Sequence, residues 1–145
     1  MKTVIVLESW HKGNTRKLVE AIARRYGVEQ IDVRKTKTAD LSGYDLIGFA
    51  SGVYVERPGR RVTRLLRDCL PEGKPVFFLY TCGSPTDKYM EPLRKAVEQK
   101  HGTVLGIYGC PGYYDFKLMK RNQGHPGERE IQGAVRFFEE ISKKI

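Results

Sequence analysis

Short apolar runs alternate with segments of helical periodicity along the whole chain. Each run is bounded by Gly, Pro or polar residues, a pattern that predicts a strand rather than a helix. The pattern predicts five strands, at residues 3–7, 28–33, 45–50, 75–81 and 103–108. The second of these is the weakest pattern.

Four segments between and after these runs have apolar residues at helical spacing. Residues 14–26 form the first, with Asn14 or Thr15 placed to cap it and Gly27 placed to end it. The other three are recognised by their apolar faces, which are Val62, Leu65, Leu66 and Cys69, then Leu93, Ala96 and Val97 after Pro92, and finally Ile131, Ala134, Val135 and Phe138.

Strands that are apolar throughout are typical of a sheet that is buried on both faces. With helices between the strands, this predicts an α/β fold in which a parallel sheet has helices on both sides. Ligands of such sheets bind beyond the carboxyl ends of the strands. The segments of interest are therefore the four that follow strands one, three, four and five, at residues 8–14, 51–60, 81–89 and 109–126.

Composition narrows the class of protein. A chain of 145 residues corresponds to one domain, and we expect residues 1–145 to form it. No stretch approaches the roughly 18 apolar residues of a membrane span, and no signal peptide is recognised, so we expect a cytoplasmic protein. Three scattered cysteines, Cys69, Cys82 and Cys110, fit reduced thiols better than disulfides or a zinc site.

The chain is strongly basic. Lys and Arg number 26 against 17 Asp and Glu, which gives a net charge of +9. This predicts attraction to acidic proteins, nucleic acid, anionic membranes or phosphorylated ligands, without choosing among them.

The segment after the first strand is polar, contains Gly13, and leads into a helix. A helix N-terminus has unpaired N–H groups and a partial positive charge, so it attracts phosphate. Ser9 and Thr15 can add hydroxyl donors, although a plain helix cap explains the same residues. The motifs of nucleoside-triphosphate loops, dinucleotide-binding loops and Cys-x5-Arg phosphatases are absent.

At this point the sequence resembles the flavodoxin family. Residues 4–18 resemble its FMN phosphate loop, with the spacing S-x-x-x-G-N-T from Ser9 to Thr15. Residues 48–54 and 80–84 resemble its second and third flavin loops, and the tail around residues 116–126 resembles a small subgroup of the family. The resemblance implies a flavodoxin-like, three-layer, doubly wound parallel sheet of five strands in the order 2-1-3-4-5, with FMN as the cofactor.

The resemblance also implies the residues that would bind FMN. Tyr54 would stack on the flavin, and Gly52 would adopt a backbone conformation closed to other residues. Cys82 is interpreted as a small buried residue rather than a redox thiol. The predicted cofactor-binding residues are Ser9, His11, Lys12, Gly13, Asn14, Thr15, Ser51, Gly52, Val53, Tyr54, Thr81, Cys82, Gly83, Ser84 and Tyr113. No catalytic residue and no metal ligand is predicted.

A run of arginines is the most unusual local feature. It comprises Arg57, Arg60, Arg61, Arg64 and Arg67, most of them on one face of the second predicted helix. A solvated helix face explains them, and so does a docking patch for an acidic redox protein or for the phosphates of a nicotinamide cofactor.

Three functional hypotheses follow. The first is an FMN-dependent electron-transfer protein with an acidic redox partner protein. The second is a small FMN-dependent oxidoreductase that uses NAD(P)H or quinones, or that resembles flavodoxin-type protoporphyrinogen oxidases. The third is a binding module without cofactor that uses its charge on nucleic acid, which is disfavoured because no nucleic-acid motif is present. A homodimer that completes the flavin site is left open.

Overall fold

Five parallel strands form one central sheet, in agreement with the pattern of apolar runs. The structure is a computed structural model that describes residues 1–10, 12–116 and 119–145. His11 of the predicted site, and Lys117 and Leu118 of the tail segment, lie outside the described residues. The strands are β1 (Thr3–Glu8), β2 (Glu29–Asp32), β3 (Leu46–Tyr54), β4 (Arg57–Pro58), β5 (Pro75–Cys82), β6 (Thr103–Pro111), β7 (Tyr114–Phe116) and β8 (Met119–Arg121).

The strand order confirms the predicted topology. The sheet runs β2-β1-β3-β5-β6 with every one of these pairs parallel, and the two-residue β4 pairs antiparallel with β3. Without β4, this is the order 2-1-3-4-5. A separate antiparallel pair, β7 and β8, lies within the segment that follows β6.

Helices cover both faces of the sheet, as predicted. They are α1 (Asn14–Tyr26), α2 (Arg60–Cys69), α3 (Glu91–Gln99) and α4 (Glu128–Ser142), and a 3-10 turn at Asp87–Met90 leads into α3. Alternate residues of a strand point to opposite faces. Val4 and Val6 of β1 therefore pack in the cluster of α2 and α3, whereas Ile5 and Leu7 pack in that of α1 and α4. Within the described residues, no helix is both long and apolar enough to cross a membrane.

Two strands extend well beyond their predicted ends, and both extensions affect the site. The third strand continues past residue 50 to Tyr54, where it turns back into β4. The fifth predicted strand continues past residue 108 to Pro111. Both extensions pair with a neighbouring strand, and this pairing outweighs the Gly and Pro residues that suggest loops. In addition, β2 is an edge strand with Glu29 and Gln30 exposed, and it is not buried on both faces as expected.

A carboxylate at the end of β2 connects three segments of the chain. Asp32 pairs with Arg16 of α1 at 2.9 Å and with Arg34 at 3.0 Å. Burial opposes the charge of Asp32, but the hydrogen bonds from Arg34 and Arg16 outweigh it and lower the pKa of this carboxyl to about 2. The ion pairs fix the start of α1 against the edge of the sheet.

We expect Asp32→Asn to reduce the stability of the protein at neutral pH by about 1–2 kcal/mol. Because folding lowers the pKa of Asp32 from its usual value of about 3.9, its contribution is complete above that pH and is lost as the pH falls toward 2. The stability difference between wild type and variant, measured by urea unfolding, should therefore shrink between about pH 4 and pH 2. Asp68→Asn, at an exposed carboxylate, is the control and should show no such trend. A difference for Asp32→Asn that is constant over this range would contradict the assignment.

Candidate flavin site

The ends of the three central strands meet at one edge of the sheet and form a cavity of about 510 Å³. In the parallel registers, Glu8 of β1 lies beside Ser51 of β3, and Gly52 beside Thr81 of β5. Because parallel strands end at the same edge, the segments that follow them are brought together. Ten of the predicted site residues line the cavity: Ser9, Asn14, Thr15, Gly52, Val53, Tyr54, Thr81, Cys82, Gly83 and Tyr113.

Four further predicted residues that the structure describes do not line this cavity. Lys12 lies over the ring of Tyr113, with Nζ 5.1 Å from the ring centroid, whereas Gly13, Ser51 and Ser84 are each adjacent in sequence to a lining residue. Three residues that the sequence analysis missed also line the cavity: Trp10, Val55 and Gly112. Trp10 immediately follows Ser9, the first residue of the S-x-x-x-G-N-T motif. This position was the one signal in the sequence that could have identified Trp10 as a site residue.

The first turn of α1 presents backbone N–H groups at the cavity. Gly13 precedes the helix with φ +67°, a left-handed conformation that favours glycine. The predicted capping by Asn14 or Thr15 is wrong, since neither side chain caps the helix and Ser9 Oγ accepts from the N–H of Arg16 at 3.4 Å. Among the described residues, the N–H groups of Asn14 and Thr15 donate to no protein acceptor. They are available to an anion.

Side-chain hydrogen bonds join this helix start to the segments after β5 and β6. The hydroxyls of Thr15 and Thr81 are 2.8 Å apart and both are buried. The Asn14 side-chain NH₂ donates to the carbonyl of Tyr113 at 2.7 Å, while its Oδ1 is buried and has no partner among the described residues. A Cβ at Gly112 would approach Asn14 Nδ2 to 2.7 Å, so a side chain there would displace the amide. Asn14 Oδ1 and the second proton of the Thr15–Thr81 hydroxyl pair are thus available to a ligand.

The β3–β4 hairpin forms another wall. The Tyr54 hydroxyl accepts from the N–H of Trp10 at 3.1 Å, and its ring crosses Gly52 so closely that a Cβ there would lie 2.6 Å from the hydroxyl. Gly52 was predicted to adopt a backbone conformation closed to other residues, and this is wrong, because the residue has ordinary strand geometry. Glycine is needed here because a side chain would collide with Tyr54. At the hairpin tip, Val55 and Glu56 have φ of 51° and 62°, and Val55 is 95% exposed.

A buried carboxylate behind the cavity positions Trp10. Glu8 is 4% exposed, and its oxygens accept from the indole Nε1 of Trp10 at 2.6 Å and from the N–H of Val62 at 2.9 Å. Ser51 also holds the residue before α2, because its hydroxyl accepts a hydrogen bond from the N–H of Gly59 at 2.8 Å. These bonds fix the start of α2 against the cavity wall. Arg34 and Arg61 each lie 5.3 Å from the centroid of the Trp10 ring system, a distance typical of cation–π contacts.

Comparison of this chain with known protein families gives a match that agrees with the fold and with the position of the cavity. The family model described as a flavodoxin domain matches residues 4–122. The chain belongs to the flavodoxin domain family. This confirms the resemblance seen in the sequence.

Relatives of this flavodoxin-family chain are found in sequence and in structure. An uncharacterised protein of Methanocaldococcus jannaschii is 31% identical, with 99% of each chain covered. The solved structure of oxidised flavodoxin 2 from Bacillus cereus covers 100% of both chains at 14% identity, with a TM-score of 0.73. A flavodoxin mutant from Fusobacterium nucleatum, solved bound to flavin mononucleotide, covers 100% of this chain and 98% of its own at 15% identity, with a TM-score of 0.72. At these identities, the two structures show that the fold is shared.

The described part of the flavodoxin-type cavity has an uncharged lining. Among the lining residues that the structure describes, none is a carboxylate, a lysine or an arginine. Burial raises the pKa of Tyr54 to about 12 and that of the Cys82 thiol to about 11, so both side chains are neutral at physiological pH. Among the described residues, no group of three His, Cys, Asp or Glu side chains is placed to bind a metal. The cavity therefore interacts with a ligand through neutral dipoles and aromatic surface.

We expect Cys82 to behave as an unreactive thiol in the folded protein without ligand. Since its pKa is about 11, the reactive thiolate fraction should rise about tenfold per pH unit between neutral pH and about pH 10. Alkylation by iodoacetamide, followed by mass spectrometry of the peptide that contains Cys82, measures this rate. Protein unfolded in urea is the control, and its rate should level off near the ordinary thiol pKa of about 8.5. The same levelling in the folded protein would contradict a buried, protonated thiol at this position.

Proposed function

We propose that this protein binds FMN non-covalently in the cavity at the sheet edge and works as an electron-transfer protein. The observation that carries the proposal is that the N–H groups of Asn14 and Thr15 have no acceptor within the described part of the chain. They lie at the positive end of α1, where both residues line a cavity of suitable size. A phosphate group of a flat cofactor satisfies both N–H groups.

The residues of the cavity suit the phosphate. The N–H groups of Asn14 and Thr15 donate to it, and the buried hydroxyl pair of Thr15 and Thr81 has a second proton that is not used between the two oxygens. Within the described residues the lining contains no cationic side chain, and backbone dipoles and hydroxyls provide the contacts with the phosphate. An uncharged ring system without phosphate gains none of these bonds.

The remainder of the cavity suits a flavin and its sugar-alcohol chain. Three aromatic side chains, Trp10, Tyr54 and Tyr113, line it together with the apolar Val55. Aromatic rings provide flat contact area for a flat ligand. The buried Asn14 Oδ1 accepts from no group that the structure describes, and it can accept from a hydroxyl of the chain that joins the ring to the phosphate.

The chemistry of the site favours electron transfer over a reaction that needs acid or base catalysis. FMN, when bound, supplies one- and two-electron redox chemistry. The protein orients the cofactor and excludes water, and neither Tyr54 nor Cys82 exchanges a proton readily near neutral pH. A redox partner protein would supply or accept the electrons.

Titration with FMN and with riboflavin tests the proposal. Trp10 is the single tryptophan of the chain and lines the cavity, so its fluorescence should be quenched as either flavin binds. We expect FMN to bind at least about 100-fold more tightly than riboflavin, because charge-assisted hydrogen bonds to the phosphate are lost in riboflavin. Equal affinities, or no binding of FMN, would refute the proposed cofactor site.

A matched pair of variants localises the binding. Thr15→Val removes a hydroxyl of the buried pair and should weaken FMN binding about tenfold while leaving riboflavin affinity nearly unchanged. Thr63→Val removes a hydroxyl from α2, outside the cavity lining, where it donates to the carbonyl of Gly59. This control should bind FMN as the wild type does. If Thr63→Val weakened FMN binding as much as Thr15→Val, the effect would come from stability and not from the site.

The carrier and the oxidoreductase hypotheses differ in their electron donor. For a carrier, NADH or NADPH should bleach the flavin absorbance of the FMN-loaded protein no faster than that of free FMN, whereas dithionite should bleach both. Stopped-flow absorbance measures these rates under anaerobic conditions. If NADH or NADPH bleached the bound flavin rapidly, the proposed carrier function would be wrong, and an oxidoreductase activity at the same site would take its place.

A further inference from the structure

A second concavity lies beside the flavin-type cavity, and its walls are basic. It is a groove of about 960 Å³ between α2 and α3, with Pro92 and Ala96 among the residues that line it. Six cationic side chains also line it: Arg57, Arg60, Arg64, Arg67, Lys88 and Lys95. Three carboxylates, those of Glu56, Asp68 and Glu91, are interspersed among them. The groove is therefore net positive.

The cations of this groove are not neutralised within the chain. Among the described residues, none of the six makes an ion pair. Other arginines of the molecule do have partners: Arg16 and Arg34 pair with Asp32, and Arg61 lies over Trp10. The positive charge of the groove is thus available to an external anion.

The placement of these charges opposes the stability of α2. Arg60 and Arg61 lie in its first turn, where the helix dipole is positive, and this turn contains no acidic residue. Arg60 and Arg64, and Arg64 and Arg67, are at spacings where like charges repel on a helix surface. Arg67, in the last turn, is favourably placed toward the helix dipole, but the stability of α2 does not account for Arg60 and Arg64, whereas attraction of an acidic surface does.

The groove and the cavity share the β3–β4 hairpin. Tyr54 and Val55 of the hairpin line the cavity, whereas Glu56, Arg57 and Pro58 line the groove. Val55, at the tip between them, is an apolar side chain that is 95% exposed. A protein bound in the groove would therefore contact the same hairpin that forms a wall of the cofactor cavity.

We propose that the α2–α3 groove is the docking surface for an acidic redox partner protein, a proposal that rests on the function proposed above. Carboxylates of the partner pair with the unpaired arginines and lysines, and the exposed Val55 provides an apolar contact next to the cofactor. A protein surface of mixed charge also suits Glu56, Asp68 and Glu91, which would repel the continuous phosphates of a nucleic acid.

Charge reversal on two opposite faces of the molecule tests this. The groove variant reverses three exposed arginines of α2: Arg60→Glu, Arg64→Glu and Arg67→Glu. The control variant has the same change in net charge on α1 and α4, on the other face of the sheet: Arg24→Glu, Arg129→Glu and Arg136→Glu. The probe is a short fluorescein-labelled poly-glutamate peptide, whose binding to the FMN-loaded protein is followed by anisotropy at low ionic strength.

We expect the groove variant to bind poly-glutamate at least about tenfold more weakly than the wild type, and the control variant to lose less than about threefold. Hydrogen–deuterium exchange should show protection of residues 55–69 by the peptide. Equal losses in the two variants would mean that only bulk charge attracts the peptide, and would overturn the proposal. Duplex DNA that bound the wild type more tightly than poly-glutamate, and lost this binding in the groove variant, would overturn it in favour of nucleic acid.

The FMN titration of the same proteins separates this proposal from the function on which it rests. Both charge-reversal variants should bind FMN with the affinity of the wild type, because none of the substituted arginines lines the cavity. Wild-type protein that failed to take up FMN would refute the cofactor, while its binding of poly-glutamate would still report on the groove. Normal FMN binding with no preference of poly-glutamate for the groove would refute the docking surface alone.

Discussion

The parallel registry of β1, β3 and β5 is the constraint on which the rest of the structure depends. It places the last residues of the three strands side by side, so that segments far apart in the chain meet at one edge. The buried bond between the hydroxyls of Thr15 and Thr81 then joins the start of α1 to the end of β5. Ser9 accepts from the N–H of Arg16, and the two preceding N–H groups find no acceptor in the described segments, so they remain available beside the threonine pair. The proposed anion binding follows from this geometry and needs no charged side chain.

The distribution of charge divides the molecule into two functional surfaces. In the part of the chain that the structure describes, the cavity lining contains no carboxylate, lysine or arginine, whereas part of the net charge of +9 is concentrated along the α2–α3 groove. A neutral lining keeps the ligand in contact with dipoles and aromatic rings, while a charged groove acts at longer range on a protein that approaches. The β3–β4 hairpin connects the two, because one part of it faces the cavity and the next part faces the groove.

The pattern of apolar runs and helical segments was sufficient to predict a parallel sheet with helices on both sides and the segments that form the cavity, because it leaves few topologies open. The strand order was implied by the resemblance to the flavodoxin family. The sequence was not sufficient where pairing between distant strands decides the structure. Gly52 and Val53 suggested a loop, but β3 continues through them since β4 and β5 pair with this part of the strand. Side-chain contacts were even harder to predict from the sequence. Asn14 and Thr15 were predicted to cap the helix, but their side chains form hydrogen bonds with Tyr113 and Thr81, which are distant in sequence and lie close by only in the folded sheet. Trp10 was missed for a similar reason, since its position depends on buried and distant partners. The roles of the predicted residues toward FMN stay predictions.

The most direct test of the central claim is an NMR titration of the ¹⁵N-labelled protein with FMN, in which each backbone N–H is followed separately. If the free N–H groups of α1 bind the phosphate, the signals of Asn14 and Thr15 should move downfield with the largest changes of the chain, and riboflavin should leave both nearly unmoved. If FMN left these two signals in place and shifted those of the α2–α3 groove instead, the phosphate would bind elsewhere and the proposed role of the α1 N-terminus would be wrong.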